Sequence, residues 1–479
     1  MTNSETAAAG APASPAAKAG FFREWVLPVT LGLGIGGALV LGWRAGSHLL
    51  HSEAWNIVAR LNDEENADID KAGKDLRALG ASARADIVAV LRDLPPAKTE
   101  LKSWVAEQLA GEPWFDTTTL KEIAGDQSAP KEDRRAAVAA LVGAQGKEVD
   151  ADLVLPVIEE WLVDLASPDR AAAVARLDRM MFDGMLNSAW EPRMVKALRK
   201  MAERPATIPP EDAERIGSDR GTALLTLSRA MDDEIRTQLV SVALDETDAD
   251  VPRIYAVRGL AEGNWLDAAS LPTWEKIGKV TAEDVRQTVA DNLSKTPLPE
   301  FDKVLEPLQF DAKELTRDGA LDSQIKRRRP TMLARFDELM EDSYDIVRSR
   351  TMFACGVFKS NTDGLPQRAA MILRALETSE DEEDVKGALL AMKLLTEQVY
   401  GVPEQDVHLR LQDVEPTALK TFMADTKGRK AAADKYREHF GAACVWTDAD
   451  REKTLQKLLT HADPDNVERA KAELARLKK

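Results

Sequence analysis

The chain has 479 residues, a formal net charge of −17, 44% hydrophobic residues and only 5% aromatic residues. This acidic balance argues against a nucleic-acid-binding groove, which needs clustered Lys and Arg. Because strand-like alternation is scarce and the helix-favouring residues Ala, Leu, Glu, Arg and Lys dominate, we expect an all-helical chain.

The N-terminal arm, residues 1–24, is rich in Ala, Pro and Ser. Such a segment buries too little apolar surface to offset the entropy lost on ordering, so we expect it to be disordered. Residues 25–43 follow, and they contain no charge and carry Trp at both ends. This length spans a bilayer as a helix, with the Trp side chains at the interfaces, so the sequence predicts one transmembrane helix.

Within the predicted span, Gly32 and Gly36 form a GxxxG pair. This pair is found in transmembrane helix pairing, although helix flexibility and composition are the preferred explanation here. Lys18 and Arg23 precede the span and acidic residues follow it, which favours a cytoplasmic N-terminus. The sequence therefore predicts a single-pass cell-membrane protein with an extracytoplasmic remainder, and a cleaved signal peptide is the competing interpretation.

After the span, residues 44–74 are predicted to form a juxtamembrane helix and an acidic linker. His48 and His51 lie there, three residues apart, and are interpreted as interfacial polar residues in preference to metal ligands. Residues 75–479 are predicted to form one helical array. Proline-containing breaks, such as residues 204–212, are expected to separate helices within it.

The unit that defines the array is residues 281–293, TAEDVRQTVADNL. Thr281 is predicted to be the N-cap, and Glu283 and Asp284 place negative charge at the positive end of the helix dipole. Val285, Val289 and Leu293 fall at i, i+4 and i+8, so they share one face. That narrow apolar face predicts burial against a neighbouring helix of a similar unit.

Variants of this unit recur along the chain. Each has a basic residue preceded within three positions by an acid and followed by apolar residues near +3 and +7, and the basic residues are Lys102, Arg134, Arg170, Arg220, Arg253, Arg286, Arg348 and Lys386. Their separations are 32, 36, 50, 33, 33, 62 and 38 residues. Most of these separations match the length of one helical hairpin, and the separation of 62 residues is close to the length of two.

At this point the sequence resembles the HEAT or armadillo-like helical-repeat family, in a bacterial-type membrane-anchored form. The second helix of such repeats commonly begins with an acid, an apolar residue and an arginine, as in Asp284-Val285-Arg286 and Asp384-Val385-Lys386. The resemblance covers residues 60–400 and, more weakly, the rest. It implies an α-solenoid that binds partners along an extended surface.

Motifs that carry chemistry are not found, so no catalytic, cofactor-binding or metal-binding residue is predicted, and no cofactor. Cys355 and Cys444 are interpreted as small core residues in preference to a disulfide pair. The basic run 326–329 is interpreted as a solvated helix end, with contact to an acidic partner or anionic lipid as the alternative.

The leading functional hypothesis is a membrane-anchored helical-repeat scaffold or adaptor that binds a protein partner, and not an enzyme. Two alternatives stay open. The chain could be a structural or assembly subunit of a larger membrane protein complex, or an enzyme or modification factor of the HEAT-like lyase type.

Overall fold

The structure is a computed structural model, and it describes residues 53–63, 69–83, 118–145, 150–164, 170–184, 190–402 and 416–478, with isolated positions 86, 90, 105, 167 and 186. Every regular element in these ranges is helical, which confirms the predicted all-α class. The described chain divides into two compact units between Ala197 and Leu198. The predicted boundaries at residues 44 and 75 stay predictions.

The helices of the first unit are α1 (Glu53–Asp63), α2 (Ile69–Ala78), α3 (Thr118–Gly125), α4 (Lys131–Gln145), α5 (Ala151–Val163), α6 (Arg170–Phe182) and the start of α7 (Glu191–Ala202). Helix α4 packs against α3, α5 and α6. Trp161 on α5 is fully buried, and its indole N–H donates to Ser167 Oγ at 3.2 Å. Arg170 donates to the carbonyl oxygen of Leu162 at 2.8 and 2.9 Å, satisfying an acceptor that the end of α5 leaves open.

The helices that begin in the second unit are α8 (Ala213–Leu227), α9 (Asp233–Leu244), α10 (Asp250–Glu262), α11 (Leu271–Ile277), α12 (Glu283–Asn292), α13 (Asp302–Leu308), α14 (Glu314–Lys326), α15 (Phe336–Met340), α16 (Asp345–Val357), α17 (Leu365–Thr378), α18 (Glu382–Thr396), α19 (Pro416–Ala424), α20 (Thr426–Phe440), α21 (Asp448–Leu458) and α22 (Pro464–Leu477). Helices α8, α10, α12, α14, α16 and α18 each pack on the next, and we call them the second-helix layer. Helices α9, α11, α13, α15 and α17 precede its later members as the first helices of the hairpins. Two stacked layers of this kind form a helical-repeat solenoid.

The interior of the second unit is made by the repeated apolar positions. Val285 and Val289 on α12, and Leu293 directly after it, are all fully buried, as their i, i+4, i+8 spacing predicts. The break at residues 204–212 is also confirmed as a connection, since α7 ends at Ala202 and α8 begins at Ala213.

The predicted N-cap at Thr281 is wrong. Ala282 occupies the N-cap position of α12 and makes no side-chain cap hydrogen bond. The Thr281 N–H and hydroxyl instead donate to the two carboxylate oxygens of Glu246, at 3.0 and 3.1 Å. A charged acceptor in the preceding hairpin outcompetes the local cap, so this threonine links two hairpins.

The predicted single-pass membrane localisation is corrected. No helix in the described part of the chain is long and apolar enough to cross a bilayer. Helix α18, with 15 residues, falls short of the roughly 20 that a crossing needs. The predicted span 25–43, with Gly32 and Gly36, and the juxtamembrane pair His48 and His51 lie outside the described residues.

Candidate functional site

In several hairpins of the second unit, an arginine near the start of the second helix ties the hairpin to its own turn and to the next hairpin. On α12, Arg286 Nη1 donates to the carbonyl oxygens of Val280 and Thr281 at 2.9 and 2.7 Å. Its Nε and Nη2 donate to the two carboxylate oxygens of Asp311, at 2.6 and 2.9 Å, in the turn before α14. The Asp311 hydrogen bonds, opposed by desolvation, raise the pKa of Arg286.

The next hairpin repeats this arrangement with a residue that the sequence pattern missed, Arg317. Its Nη1 donates to the carbonyl oxygens of Asp311 and Ala312 at 2.8 and 3.2 Å, and its Nη2 donates to Asp342 Oδ1 at 2.8 Å. Arg317 divides the separation of 62 residues into two equal halves of 31. The pattern missed it because the +7 position is Gln324, a buried polar residue. The double spacing was the signal that could have found it.

Arg348 and Arg220 make links of the same kind. Arg348 Nη1 donates to the carbonyl oxygens of Asp342 and Ser343 at 2.7 and 2.9 Å, while its Nε donates to Asp384 Oδ1 at 2.8 Å. Arg220 Nη1 and Nη2 donate to Asp248 at 2.8 and 2.7 Å. These arginines are therefore structural links, and their charge is used inside the array.

The basic run 326–329 lies at the end of α14, as predicted, but the prediction that it is solvated is wrong for Arg327. The Arg327 side chain is buried and donates to Asp302 Oδ1 at 2.7 Å and to the carbonyl oxygen of Thr296 at 2.8 Å. Arg329 donates to the other Asp302 oxygen at 2.9 Å. Part of the basic run is therefore buried because it pairs with the Asp302 carboxylate on α13, a contact that the sequence alone does not show.

Three acidic residues lie on two neighbouring members of the second-helix layer, and we call them the Asp291 cluster: Asp291 on α12, and Asp318 and Asp322 on α14. Arg350 on α16 pairs with both α14 carboxylates, its Nη1 lying 2.6 Å from Asp322 Oδ1. Lys326 also pairs with Asp322, at 2.6 Å. Asp291 is exposed and makes no side-chain hydrogen bond or ion pair with any described residue.

The Asp291 cluster holds a surplus of negative charge at Asp291. Desolvation raises the pKa of Asp291 first, and the charges of Asp318 and Asp322 raise it further, against opposition from Lys326 and Arg258. The pKa of Asp318 is also raised, chiefly by desolvation, despite the pairing with Arg350. Because Asp318 and Asp322 place further negative charge near Asp291, a cation placed beside Asp291 would be attracted by all three carboxylates.

The helices α21 and α22 form a hairpin, the C-terminal hairpin, that folds back on a much earlier part of the second unit. Arg451 Nε and Nη2 donate to the two carboxylate oxygens of Glu341, at 2.6 and 2.9 Å. Asn466 Oδ1 accepts from the Ser343 N–H at 2.6 Å, and Asp463 lies 2.8 Å from Arg317. Leu455, Leu458 and Ala470 form the hairpin's own buried apolar cluster, with Leu474 and Leu477 packed against it.

The predicted core cysteines are confirmed as buried free thiols. Burial raises the pKa of Cys355 to about 11, and it also raises the pKa of Cys444. Unactivated thiols of this kind are poor nucleophiles. Within the residues that the structure covers, no group of three or more His, Cys, Asp or Glu side chains could hold a metal ion.

No protein-family model matches this sequence, and no curated protein matches it significantly. Among solved structures, the chain is similar to Kap121p bound to Pho4p, with 12% identity and a TM-score of 0.45 over 92% of this chain and 52% of that one. It is similar to karyopherin Kap121p bound to the extreme C-terminus of the protein phosphatase Cdc14p, with 13% identity and a TM-score of 0.42 over 92% and 54% of the two chains. An engineered protein shares 16% identity, with a TM-score of 0.31 over 89% of this chain and 99% of its own.

The chain spans about half the length of the Kap121p chains that it matches. Its HEAT/armadillo-like architecture rests on its own geometry. Hairpins stack through a common second-helix layer, and a buried arginine near the start of the second helix joins successive turns. The predicted resemblance is therefore confirmed at the level of architecture.

Proposed function

We propose that this chain is a helical-repeat scaffold that binds a protein partner, and that a basic segment of that partner lies across the second-helix layer at the Asp291 cluster. Stacked second helices present one continuous surface over several hairpins, which suits an extended ligand. The observation that carries the proposal is the exposed Asp291 carboxylate, which has no ion-pair partner among the described residues.

The remaining charges near this surface support the same conclusion. The arginines of the repeat series are occupied by internal hydrogen bonds, so they do not neutralise Asp291. Arg350 and Lys326 are held by Asp318 and Asp322. A Lys or Arg of a partner is the group that would gain most from contact at Asp291. The overall charge of −17 assists encounter with a basic segment.

The test is crosslinking and mass spectrometry of the purified chain with proteins from its native source, using wild type, Asp291→Lys and a control, Glu306→Lys. Glu306 is exposed on α13, a first helix of a hairpin, so the control makes the same charge change away from the second-helix layer. We expect wild type and Glu306→Lys to retain one partner that crosslinks to α12, α14 and α16, and Asp291→Lys to lose it.

An unchanged partner set in Asp291→Lys, or crosslinks placed mainly on the first helices, would overturn the proposed surface. Circular dichroism of the three proteins provides the folding control. Since Asp291 is exposed and unpaired with described residues, its replacement is expected to leave the helical signal and the unfolding midpoint nearly unchanged.

A further inference from the structure

A cavity of about 560 Å³ lies between the C-terminal hairpin and the repeat helices on which it docks. Helices α15, α16, α17 and the start of α18 line one side, and α21 and α22 line the other. This volume falls within the range of about 300–1,000 Å³ that is usual for small-molecule sites. Nothing in the repeat pattern itself requires the space.

Five arginines line this cavity, and four of them have carboxylate partners. Arg348 lies 2.8 Å from Asp384, Arg451 lies 2.6 Å from Glu341, Arg374 lies 2.8 Å from Asp448, and Arg476 lies 2.7 Å from Glu473.

The fifth arginine, Arg469 on α22, has no hydrogen bond or ion pair with any described residue, and its Nε is buried and unbonded. A buried N–H without an acceptor is costly, because its lost hydration is not replaced. Desolvation lowers the pKa of Arg469, and the nearby charge of Arg348 lowers it further, against the opposing charges of three carboxylates that also line the cavity, Glu341, Asp384 and Glu473. The C-terminal hairpin therefore places a cationic donor at the edge of this cavity.

We propose that this cavity binds a small oxyanion, the carboxylate or phosphate group of a small molecule, with Arg469 as its main partner. The planar fork of a guanidinium matches two oxygens of such a group. Trp446 and Met371 also line the cavity and give an apolar wall for the rest of an organic acid. This inference is independent of the partner surface at Asp291.

The position of the site has a structural consequence. Arg469 belongs to the C-terminal hairpin, whereas Arg348 and Met371 belong to the repeats, so a bound oxyanion contacts both sides of the docking interface. Binding of the oxyanion should therefore stabilise the docked position of the C-terminal hairpin.

The experiment is isothermal titration calorimetry of the full chain with sodium citrate and with sodium phosphate, at an ionic strength matched with sodium chloride. The variants are Arg469→Gln and a control on the same helix, Lys471→Gln. Lys471 is exposed, pairs with Glu468 at 2.7 Å and does not line the cavity. We expect saturable binding of citrate or phosphate to wild type and Lys471→Gln, weakened at least tenfold in Arg469→Gln. The anion that binds more tightly identifies the ligand as carboxylate or phosphate.

Two further readouts separate binding from a structural role. Without ligand, Arg469→Gln is expected to unfold at the wild-type temperature or above it, because the substitution removes a buried N–H without an acceptor and breaks no hydrogen bond or ion pair with a described residue. With the tighter-binding anion, hydrogen exchange in residues 464–477 of wild type should slow. The proposal is overturned if neither anion binds saturably, if Arg469→Gln keeps wild-type affinity, or if that variant is markedly destabilised or unfolded.

Discussion

Arg220 and Asp248 form a closed pair in the second unit: two parallel hydrogen bonds of 2.8 and 2.7 Å join side chains that are only 2% and 4% exposed. Arg220 Nε also donates to the carbonyl oxygen of Ala202 at 3.2 Å. One side chain thus joins the end of α7, the interior of α8 and the turn before α10.

Asp248→Asn is expected to lower the free energy of unfolding by about 3–5 kcal/mol, because it leaves the charge of Arg220 buried without a counter-charge. Urea unfolding followed by circular dichroism measures the change. The matched control is Asp233→Asn, whose carboxylate is 95% exposed and pairs with Arg236. That change should cost less than about 1 kcal/mol. Equal midpoints for the two variants would contradict the assigned role of Asp248.

The same pair predicts how stability depends on pH. Desolvation opposes ionisation of Asp248, but the hydrogen bonds and charge of Arg220 outweigh it, so the pKa of Asp248 is lowered. The folded-state pKa is then below the value of about 3.9 for an unfolded Asp. Its contribution is present above that value and is lost as pH falls through the folded pKa. The stability difference between wild type and Asp248→Asn should therefore shrink as pH falls below about 4, as urea midpoints from pH 6 to pH 3 would show; a constant difference would refute this linkage.

Arg317→Ala is expected to destabilise the second unit and to loosen the C-terminal hairpin, since Arg317 pairs at 2.8 Å with both Asp342 and Asp463. Hydrogen exchange should accelerate in residues 464–477 as well as near α14. Arg286→Ala is the comparison, because it removes an equivalent link to Asp311 and has no contact with the hairpin. It should lower the unfolding midpoint without accelerating exchange in residues 464–477. Acceleration there in both variants would argue against a direct link through Arg317.

Two glycines in the second-helix layer should respond oppositely to alanine. A Cβ on Gly387 would lie 2.8 Å from Ser349 Cα, so α16 and α18 would have to separate. We expect Gly387→Ala to cost about 1–3 kcal/mol through this overpacking. A Cβ on Gly217 would meet nothing nearer than Pro252 Cδ at 3.9 Å. Gly217→Ala should instead gain up to about 1 kcal/mol of helix propensity. Thermal unfolding of both variants checks the two signs.

The spacing of apolar residues predicted which side chains of a helix are buried. Val285, Val289 and Leu293 are buried because a helix places them on one face, and their spacing shows this directly. Arg317 was missed because a buried Gln324 satisfies the packing position that the pattern reserved for an apolar residue. The sequence pattern required an apolar residue at this position, whereas the fold requires only that the side chain there be buried.

The charge contacts of the C-terminal hairpin could not be predicted in this way. Arg451 and Glu341 are 110 residues apart, and neither lies in a sequence motif that names the other. The same holds for the unpartnered Arg469, which is an ordinary helical arginine in the sequence. Its significance comes from the cavity that it faces, and a cavity is a property of the tertiary fold.

The return of the C-terminal hairpin also affects how the chain folds during synthesis. Asp342 is made 124 residues before Asn466, the residue whose side-chain amide donates to it at 3.3 Å. Arg317 and Glu341 likewise leave the ribosome long before Asp463 and Arg451. The polar side chains of α14–α16 that contact the C-terminal hairpin therefore lack these partners while α17–α20 are translated. If translation stalled within that interval, the nascent chain would expose this unpaired polar surface to chaperones. Synthesis of the hairpin would then cover the surface in one late folding step.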